Sequence, residues 1–198
     1  MSDREVSLIH PDNPNGFPIV HVKNALDEHS FNRMSNYLFA RYPLPYPERA
    51  GEKMDVIKQQ SDTIFNHFAK LFNDIQLTLK TELGKTCKLT GICVFKNMPK
   101  GWHVHFPEFM QDDPSIFPEK FWLSTSYMHQ IWDADFGGDL NIGTSIDQPQ
   151  AVIPCLPNSY VISKAHYGHG VKFLDVKDGK MDRIAVYCHW LEIDEHSM

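Results

Sequence analysis

GWHVHFPEF (residues 101–109) carries two histidines two positions apart in a stretch that reads as a β-strand. Alternate side chains of a strand share a face, so His103 and His105 point the same way. Such a pair can offer two nitrogens to one ion without distorting the backbone, and imidazole suits zinc, copper, iron and nickel. It can equally be two polar residues on a wet sheet face. The context is strand-rich. From Cys87 onward short β-type runs alternate with turn residues, which predicts strands at 87–96, 101–107, 121–132, 138–143, 151–155, 159–165, 171–176 and 182–193. The turn signals between them are NMPKG, QDDPS, DADFGG, DQPQ, PN and KDGKMD.

The first part of the chain has another texture. Residues 1–17, rich in Pro, Asn and Asp, are expected to form an irregular arm. FPIVHVKNAL (17–26) reads as a strand, and Asp27 is placed to cap the helical stretch EHSFNRMSNYLFA. RYPLPYPERAG interrupts regular structure with three prolines. A long helix is predicted from about Glu52 to Leu83, with Ile57, Ile64, Phe68, Leu71, Phe72, Ile75 and Leu79 at helical spacing and Gly84 as its stop. Eight short strands after two helices predict a mainly β, α+β fold: a jelly roll or related barrel buttressed on one face by helices. One domain, 1–198, is the simplest organisation, with strand and helices over 18–84 and the jelly-roll core over 87–193.

A net charge of −6 without a basic run argues against nucleic acid as a partner. No apolar run approaches the length of a membrane span. Cys87, Cys93, Cys155 and Cys188 show no C-x-x-C spacing, so neither a zinc knot nor a disulfide framework is expected. A soluble cytoplasmic protein is the expectation.

Eleven histidines need sorting. His10, His21, His29, His67 and His196 have no companion at informative spacing and read as surface or packing residues. His129, which shares a strand face with Tyr127, and His189 in the last strand read as packing residues too. A third ligand to join His103 and His105 must come from elsewhere, and His166 and His169 in SKAHYGHGVKFL are the candidates. Arg183 then stands in an otherwise apolar strand, DRIAVYCHWLEI. An arginine there is costly to bury without an anion, and its planar fork suits a carboxylate best.

The order of these pieces resembles the iron(II)/2-oxoglutarate-dependent dioxygenases, nearest to their prolyl-4-hydroxylase-like branch. The matching pieces are His103-Val104-His105, Tyr127-Met128, Gly137-Gly138-Asp139-Leu140, Pro157-Asn158-Ser159, His169-Gly170-Val171, Arg183 and Trp190. The family pattern at these places is H-x-D, a Tyr-Leu strand, GGEL, a turn starting with Pro, H-x-V, and Arg in a last strand leading to Trp. VKNALDEHSFNRMSNYLF is similar to the strand-then-helix entry of that branch. The likeness spans most of the chain and is loosest over 41–90.

Two departures stand out. His105 occupies the place where the family most often has a carboxylate. Glu108, Asp112 and Asp113 in the following loop are alternative donors, with Glu108 nearest but at a spacing foreign to the family. Ala185 lies two residues after the arginine, where the family often has a hydroxyl. The DFGGDL glycines carry a structural reading as a tight turn. The four tryptophans, Trp102, Trp122, Trp132 and Trp190, read as core or cleft residues.

The resemblance implies a double-stranded β-helix holding Fe(II) through His103, His105 and His169, with His169 preferred to His166 because it fits H-x-V. It implies 2-oxoglutarate as cosubstrate, its far carboxylate held by Arg183 with Tyr127 assisting. The implied reaction is hydroxylation of a peptidyl proline or a small metabolite, with release of succinate and carbon dioxide. Two other classes compete: a jelly roll that binds metal or a small acid without turnover, and a three-histidine cupin-like metalloenzyme. The loops RYPLPYPERAG and PEFMQDDPSIFPEK are expected to shape access to the site.

Overall fold

A computed structural model describes residues 3–9, 17–41, 62–96, 103, 118–143, 147–171 and 183–193. Among these residues the chain is mostly β, with two antiparallel sheets and two α-helices. Its elements run β1 (Glu5–Ile9), β2 (Ile19–Lys23), α1 (Glu28–Arg41), α2 (Asp62–Leu83), β3 (Cys87–Lys96), β4 (Phe121–Tyr127), β5 (Leu140–Gly143), β6 (Pro149–Ile153), β7 (Ser159–Lys164), β8 (Gly168–Val171) and β9 (Ile184–Glu192). The larger sheet has the order β1-β2-β7-β4-β9-β3, and the smaller one the order β6-β5-β8. His103 extends the smaller sheet by an antiparallel bridge to His169 on β8.

The helices form for the reasons visible in the sequence. The Asp27 carboxylate accepts from the Ser30 amide at 2.9 Å, satisfying a donor at the first turn of α1, and Lys70 of α2 pairs with the same carboxylate. In α2, Phe68, Leu71, Phe72, Ile75 and Leu79 form one buried stripe. Gly84 ends the helix at φ +64°, and its amide reaches the Lys80 carbonyl at 3.2 Å. The predicted helical residues 52–61 lie outside the described residues.

Strand parity divides the larger sheet into two faces. Trp122 of β4, Tyr160 and Ile162 of β7, and Ile184, Val186, Cys188 and Trp190 of β9 pack against the helical stripe. Phe121, Leu123 and Tyr127 of β4 with Ala185 and Tyr187 of β9 face the other way, where Phe95 and Cys155 join them. On that same inner face, Val161 and Ile19 meet Leu140, Ile142, Ala151 and Ile153 of the smaller sheet. The two sheets therefore enclose a core, and helices cover one outer face.

Several expectations are corrected. Residues 5–9 of the supposedly irregular arm form an edge strand paired residue by residue with β2, from Glu5↔Lys23 to Ile9↔Ile19. Arg4 secures that edge by donating to Thr78 at 2.8 Å and pairing with Asp74 at 3.3 Å. The strand expected over 121–132 is shorter, Phe121–Tyr127: the Met128 amide still reaches the Ile184 carbonyl in register at 2.9 Å, and the residues after it leave the ladder. Of the strand expected at 171–176, Val171 alone is among the described residues, where it ends the strand Gly168–Val171 that contains His169. Of the strand expected at 101–107, His103 alone is among the described residues.

The turn beginning at Pro157 serves as a latch. Asn158, at φ +54°, donates from its side-chain amide to the Leu26 carbonyl at 2.8 Å and accepts the Leu26 amide at 3.0 Å. This clamps the entry segment before α1 to the start of β7. Trp122 and Trp190 are core residues as expected, with their indole N–H groups bonded to Glu192 at 2.6 Å and Ser124 at 2.9 Å. Trp102 lies outside the described residues. No helix among the described residues is long and apolar enough to cross a membrane.

Candidate functional site

Register places two of the predicted histidines side by side. His103 and His169 exchange both backbone hydrogen bonds at 3.0 Å, and their rings lie 4.5 Å apart between centroids. Directly paired residues of antiparallel strands project to the same side. His169 pairs across β5 with Ile142, whose side chain packs toward the larger sheet, so both imidazoles face the space between the sheets. The His169 ring has a defined tautomer. Its Nδ1 lies 3.0 Å from the Tyr167 carbonyl, which can only accept, so Nδ1 carries the proton and Nε2 keeps a lone pair.

His166, the competing candidate, is elsewhere. It sits in the turn before β8 with its ring 5.6 Å from that of Phe17. His105, Glu108, Asp112 and Asp113 lie outside the described residues, as do His10 and His196. Among the described residues no three His, Cys, Asp or Glu side chains cluster closely enough to hold a metal. The donor set there is the His103–His169 pair, whose ring nitrogens suit a borderline metal such as iron(II).

The second part of the site is a buried arginine. Arg183 precedes β9 with the parity of Ala185 and Tyr187, so it faces the inter-sheet space, and it is only 1% exposed. Its Nε donates to the Cys155 sulfur at 3.3 Å, and its guanidinium carbon lies 5.1 Å from the centre of the Tyr127 ring. Tyr127 stands at the end of β4 directly across from Ala185. The alanine thus leaves room where a larger residue would meet the phenol. Burial raises the Tyr127 phenol well above its ordinary value, against the opposing pull of Arg183, so it stays an O–H donor.

Four neighbours of Arg183 were not assigned to a site from the sequence. Cys155, after β6, is buried, and burial pushes its thiol up to about 11 while Arg183 pulls the other way. His129, read as a packing residue, is fully buried with Nε2 3.3 Å from the Cys155 carbonyl, and burial followed by Arg183 lowers it to about 4. The Trp132 ring lies 5.0 Å from that of His129, tilted by 49°, and its indole donates to the Gly137 carbonyl at 2.8 Å. Gly138 lies against Arg183 and Trp132. It adopts φ +84°, and a Cβ there would lie 3.2 Å from Cδ and Nε of Arg183 and 3.1 Å from the Trp132 ring. The GGDL glycine therefore makes room for the arginine as well as forming a turn. Arg183 was the signal available in the sequence, since a charge in an apolar strand demands a built environment.

Two predictions arise from this geometry. Gly138→Ala forces a side chain into a left-handed backbone position and against the arginine stem. We expect a loss of about 1–3 kcal/mol in a urea titration. Unchanged stability would mean that the turn relaxes freely. The second concerns pH. His129 is lowered in the folded chain to about 4 from an ordinary 6.5, so folding favours its neutral form. That stabilisation is complete above pH 6.5, declines as pH falls toward 4, and is on the order of 3 kcal/mol over the window. Buried His21, lowered to about 4 chiefly by burial and then by Lys23, adds in the same direction. Unfolding free energies at pH 7.5 and 4.5 should differ accordingly, and His129→Gln should flatten the slope.

With the geometry in view, solved structures show which fold it shares. A Pseudomonas putida prolyl-4-hydroxylase is similar over 91% of this chain and 94% of its own, at 13% identity and a TM-score of 0.54. A Trichoplax adhaerens prolyl hydroxylase, solved with a hypoxia inducible factor oxygen degradation domain peptide fragment, matches 91% of this chain and 85% of its own at 14% identity and 0.59. The non-heme α-ketoglutarate-dependent epimerase SnoN from nogalamycin biosynthesis matches over 87% and 77%, at 15% identity and 0.59. No family profile and no curated protein matches the sequence. The chain has the fold of the 2-oxoglutarate/iron(II) oxygenases. At these identities the likeness is one of fold.

Proposed function

We propose that the chain is a double-stranded β-helix enzyme, an iron(II)- and 2-oxoglutarate-dependent dioxygenase. Its substrate is a peptidyl proline or a small metabolite. The carrying observation is that a histidine pair from the smaller sheet and a buried arginine from the larger one face the same inter-sheet space. The donor chemistry fits the metal: His169 has its lone pair on Nε2 and His103 lies beside it, and His105, outside the described residues, would supply the third donor.

When bound, iron(II) supplies the redox chemistry that couples conversion of 2-oxoglutarate to succinate and carbon dioxide with hydroxylation of a C–H bond. The protein's residues bind and orient. Arg183 holds the far carboxylate of the cosubstrate through its planar fork. Tyr127, kept protonated by burial, donates its hydroxyl to the same carboxylate, in place of the hydroxyl that Ala185 lacks. Neutral His129 and Cys155 leave the arginine as the single positive charge of the group, which matches one carboxylate. The inner-face aromatics Phe95 and Tyr187 limit water in the space.

The test is anaerobic addition of Fe(II) and 2-oxoglutarate, watched for the weak visible metal-to-ligand absorption band. Succinate release with candidate proline peptides then separates an enzyme from a binder. Failure of the band to develop at saturating Fe(II) and 2-oxoglutarate would sink the proposal.

A further inference from the structure

Arginine can grip a carboxylate along two edges: end-on through its two terminal nitrogens, or side-on through Nε and one terminal nitrogen. Around Arg183 the side-on edge is already engaged, because Nε donates to the Cys155 sulfur at 3.3 Å. The sulfur is itself held in place. The amide of Cys155 donates to the Asp139 carboxylate at 3.0 Å, which ties the turn after β6 to the GGDL segment. Gly138 of that segment lies under the arginine stem, and the Tyr127 ring lies against the guanidinium. His129 approaches the sulfur at 3.9 Å with Trp132 beside it. One arginine is thus oriented by side chains from β4, the segment after it, and the turn after β6.

We propose that Cys155 is a positioning residue, which by occupying Nε presents Arg183 end-on to a ligand carboxylate and so selects dicarboxylates of one chain length. The inference rests on the reading of Arg183 as the cosubstrate anchor. A thiol suits the task better than a carboxylate would, because it accepts the N–H while leaving the positive charge for the ligand. The orientation matters because a fork fixed at one angle meets the far carboxylate at one distance from the histidine pair. A guanidinium free to swivel would accept longer acids.

The experiment titrates the full chain, loaded with Mn(II), with 2-oxoglutarate and with the one-carbon-longer 2-oxoadipate, followed by tryptophan fluorescence and calorimetry. Cys155→Ala is expected to weaken 2-oxoglutarate binding by about 5- to 10-fold. It should also narrow the preference over 2-oxoadipate by a similar factor. Cys155→Ser, which keeps an acceptor, should restore both to within about threefold. Cys155→Asp, which neutralises the arginine internally, should abolish detectable binding in a chain that still melts cooperatively. Wild-type affinity and preference in Cys155→Ala, in a protein where Arg183→Met has lost 2-oxoglutarate, would overturn the positioning role and leave the cosubstrate reading standing. Wild-type 2-oxoglutarate binding by Arg183→Met would overturn both.

Discussion

Replacing Arg183 by methionine is expected to remove 2-oxoglutarate binding while the chain stays folded. Methionine fills much of the arginine stem's volume and carries no charge, so the cost of holding a guanidinium at 1% exposure disappears. Exchange of a buried charged group for a packed apolar one is commonly neutral or stabilising by about 1–4 kcal/mol. Loss of a desolvated charge-assisted contact to a ligand costs about 2–5 kcal/mol, which is on the order of a 30- to 5,000-fold weaker affinity. The two readouts therefore move in opposite senses. Thermal unfolding should shift up or hardly at all, and calorimetry should find 2-oxoglutarate binding lost. A variant that unfolds several degrees lower and binds as before would show the arginine to be a structural element of this chain.

The second large effect is at the histidine pair. His169→Ala should weaken divalent-metal binding by more than about 100-fold, measured with Mn(II) by calorimetry or by loss of the free-ion magnetic resonance signal. Folding should survive. The bonds that hold β8 to β5 and to His103 are made by backbone atoms, which the substitution leaves in place. His103→Ala should act alike, because its ring lies beside that of His169. His166→Ala is the control: its ring packs on Phe17, so metal affinity should not change. Equal losses from His166 and His169 would move the metal away from the inner face of the smaller sheet.

Much of the scaffold was legible because local rules wrote it. The apolar spacing of Phe68, Leu71, Phe72, Ile75 and Leu79 is a helix stripe, and α2 buries all five, with Thr78 beside them. Gly84 and Asn158 stand where positive φ is needed, and Asp27 stands where an amide needs a cap. Strand ends were less legible. Met128–Trp132 carry no turn residue that marks the end of β4, yet the chain leaves the ladder after Met128, whose amide still takes the Ile184 carbonyl, and the Trp132 indole bonds the Gly137 carbonyl. The edge strand Glu5–Ile9 escaped for a related reason: its residues are mostly exposed, and pairing with β2 defines it.

Within the candidate site the division is sharper. By itself the sequence determined a helix-buttressed β fold, an arginine that could not lie in an apolar strand without special surroundings, and histidines able to bind a metal. Tertiary structure decided which histidine joins His103, because strand pairing places His169 beside it and leaves His166 against Phe17. Pairing also brought Cys155, His129, Trp132 and Gly138 around Arg183 from separate segments. No spacing rule links those residues along the chain. Periodicity reports the face of one element, whereas a site between two sheets depends on register and on turns, which only the folded chain sets.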